Sequence, residues 1–307
     1  MDELHRFLFD GLPVRGLLVR LGEGWRELLA RRAAGPYPAP VRALLGEMAA
    51  AGVLMQSNIK FDGTLLLQIH GDGPVTLAVA EVQADLRYRA TATLAAPSVP
   101  LPETGALSAL VDARGSGRCA ITLDPAEPKP GQQRYQGVVP LRGTDEEPLP
   151  RLADVLEHYM RQSEQLETRL VLAADDRLAA GLLIQRLPAA EPDDDAFPRI
   201  AQLAATLTRE ELLALDADTL LRRLFWQEPV QRFAPRAPRF ACRCARGRVA
   251  GMLRSLGRDE VESIIAEQGA VEVTCEFCGA GYRFDAIDAL QLFIAAADQP
   301  PGRGRVN

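Results

Sequence analysis

The chain has 307 residues, 47% apolar and 25% charged, which is enough apolar material for a sizeable core and a length that suggests two domains. The net charge is −6 and Lys60 and Lys129 are the only lysines, so the overall basic footprint of a nucleic-acid-binding protein is missing. No apolar run approaches the roughly 18 residues of a membrane span, and the start, Met1 to His5, is acidic and lacks the apolar stretch of a secretory signal.

Hydropathy periodicity organises residues 1–187 as an α+β domain. A helix is expected over 41–54, with Leu44, Leu45 and Met48 on one face. Residues 58–70 alternate loosely and meet a turn signal at Gly71, Asp72, Gly73 and Pro74. Further strands are expected at 75–83, 86–94, 119–123 and 136–140. A helix follows at 152–166, carried by Leu152, Val155, Leu156 and Tyr159, and strands at 170–172 and 178–187 close the domain. Strands and helices do not alternate strictly, which argues against a doubly wound sheet.

Pro188 to Asp195 breaks the pattern with two prolines and a run of acids. Beyond it, 188–235 reads as a linker of short helices. Ile200, Leu203, Ala204 and Leu207 form one apolar stripe, and Thr208 with Glu211 makes a capping box. Leu212, Leu213, Leu215, Leu220, Leu221, Leu224, Phe225 and Trp226 follow. Helices of two or three turns are marginal alone and need a neighbour to dock on.

Residues 236–299 form a third segment. Val249, Met252, Leu253 and Leu256 have helical spacing before Gly257; Val261, Ile264 and Ile265 mark a second helix that stops at Gly269. Val271 and Val273 run as a strand into Cys275, Tyr282 and Phe284 return from it, and Asp285 caps a last helix with Ile287, Leu290 and Phe293. The tail, 300–307, is expected to be disordered.

Four of the five cysteines lie in this third segment as two pairs, Cys242 with Cys244 and Cys275 with Cys278, thirty residues apart. A four-thiolate zinc site needs such pairs, each supplying two sulfurs from one tight turn. Gly279 follows the second pair, where the turn demands a positive φ. Thiolates are also nucleophiles, and each pair is near enough in sequence to close on itself once the metal is lost. Arg239, Arg243, Arg246, Arg248 and Arg254 flank the first pair; they either offset the thiolate charge or, the preferred reading for most, form a solvated face. Paired thiols without a secretory signal point to a reducing cytoplasm.

Catalytic signatures are missing: there is no P-loop, dinucleotide fingerprint or nucleophile elbow. His5, His70 and His158 are far apart in sequence and read as surface or core residues rather than ligands. Cys119 reads as buried and inert, and Asp175 with Asp176 as turn residues. Four cysteine ligands leave zinc no open position, so the chain is not expected to be an enzyme. From the residues alone two other classes stay open: a zinc-ribbon nucleic-acid binder, favoured by the arginines near Cys242, and an enzyme in the N-terminal domain with a structural metal.

The cysteine pattern at the end of a chain of this length resembles the heat-shock protein 33 family of redox-regulated bacterial chaperones. Leu4 to Phe7, Lys60 to Gly63, Gly71 to Pro74, Arg134 to Val139, Ser163 to Leu166 and Glu210 to Leu213 resemble that family's signatures. The proline-rich stretches at 97–102 and 125–130 depart from it locally. The resemblance implies an ATP-independent holdase. Cys242, Cys244, Cys275 and Cys278 would hold one Zn2+ in the inactive, reduced form. Oxidation would release the metal, form Cys242–Cys244 and Cys275–Cys278 disulfides and unfold the zinc segment and linker. The activated protein would act as a homodimer on unfolding clients and pass them to an ATP-driven foldase system. Leu212, Leu213, Leu221, Leu224, Phe225 and Trp226 are the candidate client surface. No role is assigned to Cys119.

Overall fold

The computed structural model describes residues 1–307 apart from 33–34, 97–100, 103–105, 128–133, 189–194 and 295–307. The tail at 300–307, most of the acidic break before Asp195 and parts of both proline-rich stretches therefore lie outside the described residues. The chain divides into two compact units, Met1–Ala241 and Cys242–Asn307.

The first unit is α+β. It opens with a hairpin of β1 (Glu3–Phe9) and β2 (Val14–Leu21), then α1 (Glu23–Ala30) and a long helix α2 (Ala39–Asn58). A meander follows of β3 (Gly63–His70), β4 (Val75–Gln83) and β5 (Arg87–Leu94), then a short α3 (Leu107–Val111), β6 (Arg118–Pro125) and β7 (Tyr135–Pro140). After α4 (Leu152–Gln162) comes the hairpin β8 (Thr168–Ala174) and β9 (Ala179–Arg186). Three short helices, α5 (Ala196–Ala205), α6 (Arg209–Ala214) and α7 (Ala217–Phe225), lead to β10 (Val230–Arg232) and β11 (Arg239–Phe240).

These strands form two sheets, ordered β10-β1-β2-β9-β8 and β11-β5-β4-β3-β6-β7. Every pairing is antiparallel except β11 on β5. Helix α2 lies between the sheets and touches strands of both. It is therefore buried nearly all round, from Leu44 and Leu45 through the run Met48–Gln56, and not on the single face the periodicity predicted.

The smaller sheet is covered on both sides. Leu4, Leu17, Val19 and Leu21 join the core around α2. Phe7, Phe9, Val14, Leu18, Leu182 and Ile184 point the other way and meet Ile200, Leu212, Leu220, Leu221, Leu224 and Phe225 from α5, α6 and α7. Burial on both faces removes the alternation by which a strand is recognised, which is why β1 and β2 escaped the sequence reading. Two boundaries also moved. The strand expected from residue 58 begins at Gly63, because α2 continues to Asn58. The helix expected to reach Leu166 stops at Gln162, with Gln165 at φ +56° turning the chain away.

The second unit contains α8 (Arg246–Leu256), α9 (Arg258–Gln268), the hairpin β12 (Val271–Thr274) and β13 (Gly281–Phe284), and α10 (Ala286–Phe293). Its buried centre is small: Ala250, Leu253, Val261, Val271, Phe284, Ala289 and Leu292. Asp285 caps α10 as expected, accepting from the N–H groups of Ile287 and Asp288 at 2.9 Å. The face α10 buries differs from expectation: Ala289 and Leu292 point inward, while Ile287 and Leu290 remain 68% and 53% exposed. Met252 and Leu256 on α8 are likewise exposed.

Candidate metal centre

The β12–β13 hairpin builds half of the site. Its turn runs from Cys275 to Ala280, closed by Cys275 N–H to Ala280 O at 2.9 Å and Gly279 N–H to Cys275 O at 2.7 Å. Gly279 has φ +68°, the left-handed conformation that a side chain would oppose. This backbone aims N–H groups at sulfur: those of Phe277 and Cys278 donate to Cys275 Sγ and that of Ala280 donates to Cys278 Sγ. Such donors stabilise thiolate and so prepare both sulfurs for a cation.

Cys242 and Cys244 supply the other half from the extended segment just before α8. Cys242 Sγ lies 3.6 Å from Cys275 Sγ, and Cys244 Sγ lies 3.2 Å from Cys278 Sγ. All four sulfurs are within 4.8 Å of one another. A tetrahedral ion with metal–sulfur bonds of about 2.3 Å needs sulfurs about 3.8 Å apart. The donor set fits one metal ion, and all-sulfur donors suit a soft or borderline one. None of the five cysteines forms a disulfide.

Burial raises the thiols of Cys278 and Cys275 above the ordinary value, so ligation at neutral pH requires a cation to displace their protons. The Tyr282 hydroxyl is hydrogen-bonded to Cys244, which with the neighbouring sulfurs pushes it up to about 12. The sequence placed Tyr282 on the returning strand without foreseeing this contact; only its position one residue into β13, opposite Val273, brings it there.

The flanking arginines divide. Arg246 stacks over the Phe284 ring at 4.1 Å, pairs with Asp288 at 2.7 Å and donates to Arg283 O at 2.7 Å. Arg254 Nε donates to Leu292 O at 2.9 Å. Both hold the second unit together and leave less cationic surface for a phosphate backbone. Arg248 is exposed, as a solvated face requires.

The histidines do not join the cluster: among the described residues the cysteines alone form a metal-sized group. His5 is buried in the first unit against Glu3 and Arg232. Cys119 is fully buried on β6, and burial pushes its thiol up to about 12. Asp175 serves the β8–β9 turn, accepting from Arg177 and Leu178 N–H. Of the candidate client residues, Leu212, Leu221, Leu224 and Phe225 are buried in one apolar layer and Leu213 is partly covered, whereas Trp226 is 74% exposed.

Comparison with known proteins agrees with this arrangement. A family profile described as Hsp33 protein matches residues 2–285. A 33 kDa chaperonin of Chromobacterium violaceum is 46% identical over 300 residues, covering 96% of each chain. One from Nitrosococcus oceani is 42% identical, covering 97% of this chain and 96% of its own. The crystal structure of a 33 kDa chaperonin, a heat shock protein 33 homolog from Thermotoga maritima, matches the fold with a TM-score of 0.75 at 22% identity, over 95% of this chain and 98% of that one. With two cysteine pairs converging in a small C-terminal unit and relatives aligned along nearly its whole length, this chain belongs to the Hsp33 family.

Proposed function

We propose that the protein is a redox-regulated, ATP-independent holdase of the cytoplasm, held inactive while its four thiolates bind zinc. The observation that carries this reading is the convergence of both cysteine pairs on one metal-sized point within a unit whose own apolar centre is very small. Cys242, Cys244, Cys275 and Cys278 would be the ligands; zinc with four such ligands supplies cross-linking and no open catalytic position.

Peroxide is the oxidant class that fits the trigger. The two thiolates of each pair give up two electrons and form one sulfur–sulfur bond, the peroxide O–O bond breaks, and its oxygens take up two protons from solvent and leave as two waters. The products are the Cys242–Cys244 and Cys275–Cys278 disulfides. In the reduced fold Cys242 is 3.6 Å from Cys275 and Cys244 is 3.2 Å from Cys278, across the pairs. Bonding at about 2.0 Å within each pair therefore pulls this arrangement apart. The oxidised sulfurs no longer bind metal, and the second unit loses its main cross-link.

Helices α5, α6 and α7 cover the outer face of the β10-β1-β2-β9-β8 sheet. Their loss would uncover Phe7, Phe9, Leu18 and Ile184 on the sheet together with Leu212, Leu213, Leu221, Leu224, Phe225 and Trp226 on the linker, an apolar area large enough for unfolding clients. The acids of the linker keep the opened state in solution. The active form would be a homodimer, releasing clients to an ATP-driven foldase system.

The test follows zinc, thiols and light scattering in one sample. Peroxide with mild heat should release one zinc per chain, remove four of five titratable thiols and suppress aggregation of a heat-unfolding test enzyme, all reversed by reductant. Zinc release with aggregation unchanged would end the holdase reading. Replacement of Cys275 and Cys278 by serine should give a protein that binds no zinc and no longer responds to peroxide.

A further inference from the structure

A second built site lies in the first unit. Arg15 on β2 and Arg6 on β1 project to the same side of the smaller sheet, since Leu8 pairs with Arg15 and Arg6 with Leu17. They meet the last turn of α2 at Ser57 and Asn58. Arg15 is fixed by Gln185, whose Oε1 accepts from Arg15 Nε at 3.1 Å and Nη2 at 2.5 Å. The same oxygen accepts from Asn58 Nδ2 at 2.8 Å, and Gln185 Nε2 donates to Thr168 Oγ1 at 2.9 Å. Gln185 is fully buried, so this clamp is rigid.

The clamp supplies no negative charge. Arg15 is half-buried and the only influence on its pKa is burial, which lowers it. Arg6 Nε is buried without a hydrogen-bond partner, and its guanidinium faces the Phe233 ring at 6.0 Å. Among the described residues neither arginine has a carboxylate partner. Withdrawing guanidinium from water without a counter-ion is costly, and the acid that lines the adjoining cavity, Glu164, is engaged by the Tyr135 and Tyr159 hydroxyls and not by either arginine.

Arg15 and Asn58 form the shared wall of two cavities. One, of about 230 Å³, lies toward Arg6 and Phe233. The other, of about 240 Å³, is lined by the apolar side chains of Met55, Leu65, Ile121, Leu123, Met160 and Leu166. Its rim is fixed by Glu164, which accepts from Tyr135 Oη at 2.7 Å and Tyr159 Oη at 2.5 Å. A Cβ on Gly137 would fall 2.5 Å from the Tyr159 ring, so glycine in β7 is what lets that ring stand at the rim. Two segments singled out in the sequence, Arg134 to Val139 and Ser163 to Leu166, thus meet here, and the metal-centred function uses neither.

We propose that this cavity binds a small amphiphilic carboxylate, its alkyl tail among Met55, Leu65, Ile121 and Leu123 and its head group on Arg15. The pocket has the pattern of small-molecule sites: apolar walls and a few placed polar groups. An unpaired guanidinium at the mouth selects an anion, and carboxylate matches its fork.

Calorimetric titration of the full-length, reduced, zinc-loaded protein with octanoate tests this without involving the redox switch. One octanoate should bind per chain, at least tenfold tighter than octanol, which has the same tail and no charge. Arg15→Gln should weaken octanoate at least tenfold and leave octanol unchanged; Arg15→Lys should recover part of the loss. Leu123→Trp, filling the cavity, should abolish binding of both, and the exposed Arg161→Gln should change neither. Circular dichroism establishes that each variant is folded. Equal affinity for octanol and octanoate, or full octanoate affinity in folded Arg15→Gln, would overturn the proposal.

Discussion

Glu47, on the central helix α2, has its carboxyl raised to about 7 by burial, with Arg209 and Arg151 pulling it partly back. The unfolded chain holds this group at the ordinary 4.5, so the folded state binds the proton more tightly. Its contribution to stability is fully present below about pH 4.5 and is lost as pH rises through about 7. The loss is up to about 3 kcal/mol. Glu47→Gln should therefore raise the unfolding temperature of the first unit at pH 8 by several degrees and make no difference at pH 4. Paired thermal melts at the two pH values check this; an equal shift at both would assign the effect to packing rather than charge. At the same scale the metal-sized cluster of four cysteines was readable from spacing, because two close pairs of thiols have few other uses. The arginine clamp at Gln185 was not: Arg15 and Gln185 are 170 positions apart, and only the β2–β9 pairing brings them together.

At the scale of elements, α5, α6 and α7 are kept in place by neighbours rather than by their own length. Phe225 closes the layer, with its ring 4.9 Å from Phe9 and 6.1 Å from Phe7. Arg20 Nη1 donates to Leu212 O at 2.8 Å, Arg209 Nη2 to Ala174 O at 2.7 Å, and Arg199 pairs with Glu228. The Thr208 and Glu211 capping box forms as the sequence foretold, yet one cap contributes only about 1 kcal/mol. Phe225→Ala should cost about 3–5 kcal/mol, concentrated on these helices. Hydrogen exchange should speed at least a hundredfold across 196–225 while β2, β3 and β9 keep their protection. The reduced, zinc-loaded variant should also bind a hydrophobic dye and partly suppress client aggregation without peroxide. Uniform loss of protection in the sheets would show that the linker is inseparable from the core.

For the whole molecule, the two units have unequal reserves. The first has a continuous core around α2 and a second apolar layer outside the smaller sheet. The second rests on a few buried side chains and four sulfurs. Structural zinc in small modules contributes about 10–16 kcal/mol of apparent folding free energy, far more than such a core supplies. Chelation under reducing conditions should abolish the helical circular dichroism of α8, α9 and α10 and leave the melting transition of the β-sheet core in place. Persistent amide protection in α8 and α9 after metal removal would show that the apolar centre suffices.

What the sequence determined by itself was local chemistry: the cysteine pairs, the turn at Gly279, the Thr208 and Glu211 capping box, the Asp285 cap, and the short linker helices that need a partner. These depend on residues close together in the chain, so spacing reveals them. Tertiary structure alone decided that α2 lies between two sheets and that β1 and β2 are covered on both faces, because burial on all sides erases periodicity. It also decided which leucines of the linker are hidden and which faces of α8 and α10 stay exposed. An uncompensated Arg15 beside an apolar cavity is likewise a property of strand pairing. Charge and hydropathy along the chain record what a residue is, whereas packing determines which groups it must satisfy.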